Sequence, residues 1–131
     1  MAIGEFGRSP EKGLSTSGNS NSPDGRDHWP YCYTSVIGGA GIKRGAIVGK
    51  TDSIAASVVD RPLTAKDILA TIYHLIGIDP HTTLLDRLNR PVPLVHDGAV
   101  VPEMFADFAF VHKLVALAHR ETHLVRATTA A

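Results

Sequence analysis

Two short polar signatures near the start of the chain hold the residue types that do chemistry: Glu5-Phe6-Gly7-Arg8-Ser9-Pro10 and Gly25-Arg26-Asp27-His28-Trp29-Pro30. A neutral imidazole is the commonest nitrogen ligand for a metal ion, and a nearby carboxylate supplies an oxygen ligand or orients the ring. Guanidinium groups grip a phosphate or sulfate through paired hydrogen bonds. Glu5, Asp27 and His28 are therefore candidate metal ligands, and Arg8 and Arg26 candidate anion binders. Groups of this kind, placed on loops rather than on periodic segments, have the character of a binding or catalytic rim. The residues alone leave a second reading of His28 open, in which it is a surface histidine hydrogen-bonded to Asp27.

Other motifs carry less. Gly45 to Thr51 reads G-A-I-V-G-K-T, but a phosphate-cradling loop needs four residues between its glycines and this segment has three. A strand ending in a glycine turn with an exposed Lys50 is the better reading. Gly38, Gly39 and Gly41 miss the dinucleotide fingerprint, because no third glycine opens a helix at the required place. His119 and His123 are one helical turn apart, yet Arg120 stands where a metalloprotease motif needs glutamate, so solvated histidines near a helix end are expected there. His74 is expected on the polar face of a helix with Asp67 and Thr71. His81, His96 and His112 have no visible partners in the sequence.

The elements that must position the two signatures are fewer than usual. From Gly7 to Pro30 the residues are mainly Gly, Ser, Asn, Pro and charged. Such a segment cannot bury enough apolar surface to offset its conformational entropy, which predicts a long mobile loop ordered near Trp29. Tyr31 to Ile37 is rich in β-branched and aromatic residues and stops at Gly38-Gly39-Ala40-Gly41, predicting a buried strand and a tight turn. Ile42 to Val48 is a candidate second strand or hairpin arm. Thr64 to Gly77 has the clearest signal: Thr64 as N-cap, Asp67 at the third helical position, Ile68, Leu69, Ile72, Leu75 and Ile76 on one face, and Gly77 as the stop. Prolines at 80, 91 and 93 predict irregular chain from Ile78 to Val95, with at most an edge strand at its end. Pro102-Glu103 suits the first turn of a second main helix, with Met104, Phe108, Val111, Val115 and Ala118 on one face.

At 131 residues, with 44% hydrophobic and 20% charged side chains, the chain fits one small globular domain. Thirteen basic and thirteen acidic residues cancel, which disfavours nucleic acid and anionic membrane as partners. The single Cys32 excludes an internal disulfide framework. No apolar run approaches the roughly 20 residues of a membrane span, and Met1 to Phe6 lacks the pattern of a signal peptide. Ala2-Ile3 reads as the end of a strand too short to be whole, so the expectation is a chain that begins in the middle of a domain.

Several of these motifs, in this order, resemble a known family. Glu5 to Pro10, Gly25 to Pro30, Gly38 to Gly41 with Ile42-Lys43, Asp60-Arg61-Pro62, Asp67 to Gly77 with Ile78-Asp79-Pro80, and Arg90-Pro91-Val92-Pro93-Leu94 are similar to the C-terminal part of the sulfatase-like family of unknown function fifteen-oh-one. That family is similar in turn to the alkaline phosphatase and sulfatase superfamily. The resemblance covers residues 1–105 and leaves 106–131 as a tail with two readings open, an added helix or the translated product of a shifted frame. It implies an α/β fold, the C-terminal part of an alkaline-phosphatase-like three-layer sandwich, with a long N-terminal loop and two main helices.

In that superfamily a strand ends in an Asp-His pair that binds metal, and a later loop histidine completes the site. Glu5-Phe6 resembles the position of the pair and His28 the later ligand, while Phe6, which cannot coordinate, departs from a standard two-metal site. The implied cofactor is a divalent metal, zinc, calcium or magnesium. The implied chemistry is in-line attack on a phosphate or sulfate ester stabilised by metal ions, with the nucleophile on an N-terminal half outside these residues, so no turnover is expected from this polypeptide alone. The implied partner is that missing half or a second copy of the chain, and export of intact relatives would depend on a signal at their own N-termini. The rival expectation is a non-catalytic module whose rim binds an anionic or sugar ligand, or docks on another chain.

Overall fold

Helix α1, Ala65–Leu75, forms where the sequence places its caps. The Thr64 hydroxyl accepts from the Asp67 amide at 3.2 Å while the Asp67 carboxylate accepts from the Thr64 amide at 2.7 Å, so two amides that the helix cannot satisfy are paired reciprocally. At the other end Gly77 adopts φ 81°, and the amides of Gly77 and Ile78 return to the carbonyls of His74 and Tyr73. This is the double carbonyl cap that a left-handed glycine makes possible.

The computed structural model describes residues 1–18, 21–39 and 41–106, together with Lys113. His112, His119, His123 and all but Lys113 of the expected helix beyond Ala106 lie outside the described residues. The architecture is mixed α/β, with small two-stranded antiparallel sheets and one α-helix among the described residues. Two compact units share the chain, one made of Met1–Gly38 with Ile47–Pro62, the other of Gly39–Ala46 with the chain from Leu63 onward.

The first unit contains β1 (Gly7–Arg8) paired with β2 (His28–Trp29), and β3 (Lys50–Thr51) paired with β4 (Val58–Asp60). The expected strand at Tyr31 to Ile37 is reduced to a single bridge between Ala2 and Val36, joined by hydrogen bonds of 2.7 and 2.8 Å. Ala2 is the one backbone partner it meets among the described residues, and a strand without a neighbour leaves its amides to solvent. Lys50 is exposed as expected, although it opens β3 rather than following a strand.

In the second unit, the buried face of α1 differs from the apolar stripe read from the sequence. Ile68, Ala70 and Thr71 are buried, whereas Leu69 is 40% and Ile76 63% exposed. The reason is polar. The Thr71 hydroxyl donates to the Asp67 carbonyl at 2.7 Å and accepts from the Val101 amide at 3.1 Å, and the Asp67 carboxylate accepts from the Ala99 amide at 2.9 Å. Segment 95–105 is thus drawn onto the side of the helix expected to face water, where Val95, Val101, Met104 and Phe105 are buried. The His74 ring lies 5.6 Å from that of Phe105, against this segment rather than in solvent. Gly98 is needed for the approach, since a Cβ there would lie 2.4 Å from the Lys66 carbonyl oxygen.

Pro102–Met104 form a single 3-10 turn. Ile42 bridges to Phe105, the Lys43 amide donates to the Met104 carbonyl, and the Ala106 amide donates to the Gly41 carbonyl. The proline-punctuated stretch is more ordered than its composition suggests: β5 (Thr83–Leu85) and β6 (Pro91–Pro93) form a hairpin. The turn between them is closed by Asp86, whose carboxylate accepts from the amides of Leu88 and Arg90 and pairs with the Arg90 guanidinium at 2.7 Å. The Arg90 amide, then its side chain, hold the Asp86 carboxyl below the ordinary carboxylate range. His96, unpartnered in the sequence reading, approaches Asp97 at 2.5 Å.

Replacing Thr71 by valine keeps the volume and removes the hydroxyl, leaving the Val101 amide without its acceptor. The expected loss is about 1–3 kcal/mol in denaturant unfolding followed by helical circular dichroism, and Thr71→Ser should recover most of it.

Candidate functional site

The rim begins with a glycine that nothing else could replace. A Cβ at Gly7 would sit 2.0 Å from the Cys32 carbonyl oxygen, so β1 can cross the buried Cys32 backbone only without a side chain. The crossing sets the β1–β2 register, with Gly7 opposite Trp29 and Arg8 opposite His28. Directly opposed residues of an antiparallel pair share a face. Arg8 and His28 therefore stand side by side, both exposed.

Behind that face the two signatures are locked together. The Ser9 amide donates to the Asp27 carbonyl at 2.8 Å, the Asp27 amide donates to the Ser9 hydroxyl at 3.1 Å, and that hydroxyl donates to the Glu11 carbonyl at 2.9 Å. Ser9 is fully buried. The Arg26 Nη1 donates to the carbonyls of Ser9 and Pro10 at 2.7 and 2.6 Å, so this guanidinium clamps backbone.

The Asp27 carboxylate is enclosed by donors. The Thr16 amide approaches at 2.8 Å, the Ser17 amide at 3.0 Å, the Ser17 hydroxyl at 2.9 Å and the His28 amide at 2.8 Å. The Thr16 hydroxyl also donates to the His28 carbonyl. The Ser17 and Thr16 amides, then that of His28 and the Ser17 hydroxyl, favour the charged carboxylate and drive its pKa far below the ordinary 3.8. Within the stretch expected to be a mobile loop, described residues from both sides thus converge on one carboxylate.

Aromatic contacts fix the edges of the rim. The His28 ring lies 5.3 Å from that of Phe6. Trp29 donates its indole N–H to the Ala56 carbonyl at 2.7 Å and meets Tyr31 edge-on at 5.0 Å. The Ala56 turn is itself closed by Asp52, whose carboxylate accepts from the amides of Ala56 and Ser57.

Of the five candidate site residues, the structure brings Arg8 and His28 together on one exposed face. Glu5 is exposed two residues before β1. Among the described residues, no hydrogen bond or ion pair holds the side chains of Glu5 or Arg8 or the ring nitrogens of His28. The side chains of Arg26 and Asp27 are engaged by the loop backbone, although Arg26 itself is exposed. Ser9, Thr16 and Ser17 complete the lock and were not singled out in the sequence. Their signal there is weak: small hydroxyl residues in a Gly/Ser-rich loop read as solvent-facing unless an unpaired aspartate is counted as needing donors.

This arrangement spans the part of the chain that matches a known family model. Residues 1–105 match the model described as protein of unknown function (DUF1501). The chain belongs to the DUF1501 family. The two signatures and helix α1 all fall within the DUF1501 match, and the tail beyond residue 105 falls outside it. No curated protein and no solved structure matches the chain.

Because the Asp27 pKa is lower folded than unfolded, its contribution is complete above the ordinary carboxylate value and is lost as pH falls below it, where the unfolded chain takes up a proton that the folded rim refuses. Asp27→Asn replaces an acceptor by an amide N–H facing the Ser17 and Thr16 donors. The variant should release loop 9–28, read as faster amide exchange at Thr16, Ser17 and His28, and should lose the acid-side fall in protection seen in the unaltered chain. Unchanged exchange at these amides would show that the carboxylate does not hold the loop.

Proposed function

We propose that the β1–β2 face is one rim of a phosphate- or sulfate-ester site, of the kind used by hydrolases of the alkaline phosphatase and sulfatase superfamily, with Arg8 and His28 as the groups that meet the anion. The observation that carries this reading is their juxtaposition: a cation and an imidazole opposed across a ladder, exposed and with no hydrogen bond or ion pair on either side chain among the described residues, on a backbone locked from behind. A guanidinium in that setting is available for two parallel bonds to an oxyanion. The resemblance of the two signatures to that superfamily supports the ester class. In this reading the fold corresponds to the C-terminal part of the superfamily's three-layer α/β sandwich, and Arg26 and Asp27 serve the site by holding the loop that presents His28.

A divalent cation, zinc, calcium or magnesium, would draw His28 and Glu5 from this rim. That set does not by itself make a metal centre, because no group of three His, Cys, Asp or Glu side chains is placed to hold an ion among the described residues, and structural sites use about four ligands. The Asp27 oxygens are already surrounded by donors. The rim also offers no activated nucleophile: the Ser9 hydroxyl is buried between the Asp27 amide and the Glu11 carbonyl. We therefore assign binding to these residues, and expect no ester turnover from them alone.

The reading is tested by thermal unfolding with inorganic phosphate or sulfate, and separately with zinc. Phosphate should raise the melting temperature of the unaltered chain and fail to do so in Arg8→Ala. Any zinc shift should vanish in His28→Ala. A phosphate shift that persists in Arg8→Ala and disappears in Arg26→Ala would move the anion site off this face and overturn the assignment.

A further inference from the structure

The β5–β6 hairpin has one edge closed and one open. Its register pairs Thr83 with Pro93, Leu84 with Val92 and Leu85 with Pro91. The flanking bonds, Leu94 amide to Thr82 carbonyl and Asp86 amide to Arg90 carbonyl, make 82/94 and 86/90 hydrogen-bonded pairs. By alternation 84/92 is the same kind, and 83/93 and 85/91 are not. The prolines thus occupy the positions whose amide N–H would point out of the β6 edge, and that edge has no donors there. On the opposite edge, Thr83 and Leu85 turn their N–H and C=O groups outward. Among the described residues nothing pairs with them.

That open edge is also apolar. On β5, Leu84 is 57% and Leu85 65% exposed, and Val92, opposite Leu84 on β6, is 47% exposed. Exposed strand edges of this kind are normally blunted by charge, proline or a covering element. Here one edge is blunted and the other is not.

We propose that the β5 edge pairs with the same edge of a second copy of this chain, antiparallel about a twofold axis at Leu84. That axis is the one that sets the two outward-facing residues against each other. Thr83 of one copy faces Leu85 of the other, and each outward N–H meets an outward C=O, while the two Leu84 residues form the close, non-hydrogen-bonded pair. Leu84 and Val92 from both copies then share one face of a four-stranded sheet. The assembly stops at two copies because each outer edge is a β6 edge without donors, so the contact closes rather than growing into a filament. A three-residue edge buries less area than a standard interface, and the pairing is therefore weak and concentration-dependent.

The experiment is sedimentation across a dilution series of the full chain. The unaltered protein should pass from dimer to monomer on dilution. Leu85→Pro removes one outward N–H at a position where the hairpin already tolerates proline opposite, and should be monomeric throughout with the hairpin's circular dichroism retained. Should that variant unfold, Leu84→Lys places two like charges across the axis and should have the same effect. Leu84→Cys should form a disulfide-linked dimer under mild oxidation, and Leu88→Cys, in the turn, should not. A chain that is monomeric at all concentrations, a dimer indifferent to Leu85→Pro and Leu84→Lys, or equal cross-linking at positions 84 and 88 would each overturn the proposal.

Discussion

The rim depends on one charged group, the carboxylate of Asp27 gathering the amides of Thr16, Ser17 and His28. Without it a Gly/Ser-rich segment of this length has no apolar reason to fold. With it, the segment's donors converge on one acceptor, and the burial of Ser9 against the Asp27 backbone carries that order across to the first signature. The face offered by Arg8 and His28 is a consequence of the lock behind it. Arg26 has the opposite fate from Arg8, its neighbour in chemistry, because its Nη1 is spent on two carbonyls.

The second unit repeats the device with a different pair. Asp67 closes the helix N-terminus and holds the Ala99 amide, while Thr71 bridges its own helix to Val101. In both units an aspartate and a hydroxyl residue, rather than a large apolar cluster, bring distant segments together. Among the described residues few large side chains are fully buried, and their apolar surface is only partly covered. Leu69 and Ile76 on α1 and Leu84 and Leu85 on β5 are where that incomplete burial shows.

What could be read from the residues alone divides along this line. Local signals were legible: the Thr64/Asp67 capping box and the Gly77 stop produced the helix where expected, because caps act through neighbours in sequence. The two signatures were legible as spatial neighbours, since register pairs Gly7 with Trp29 and Arg8 with His28. Long-range polar bonds were not. Periodicity placed Thr71, Asp67 and His74 on a water-facing side, and the hydroxyl bond to Val101, thirty residues away, reversed that. The roles of Arg26 and Asp27 were hidden for the same reason: a residue type suited to a ligand is equally suited to a backbone amide or carbonyl, and only the fold decides between them. The hairpin at β5–β6 was masked by prolines that mark edge positions rather than a break.

For this DUF1501 chain the central functional claim is that the anion is met by Arg8 and His28 and not by Arg26, whose Nη1 bonds to backbone carbonyls. The most direct measurement is side-chain nuclear magnetic resonance of the arginine Nε–H and histidine ring signals during sulfate titration at constant ionic strength. Saturable shifts at Arg8 and His28, with Arg26 unmoved, are the predicted result. Shifts centred on Arg26, or a uniform linear drift of all three, would contradict it.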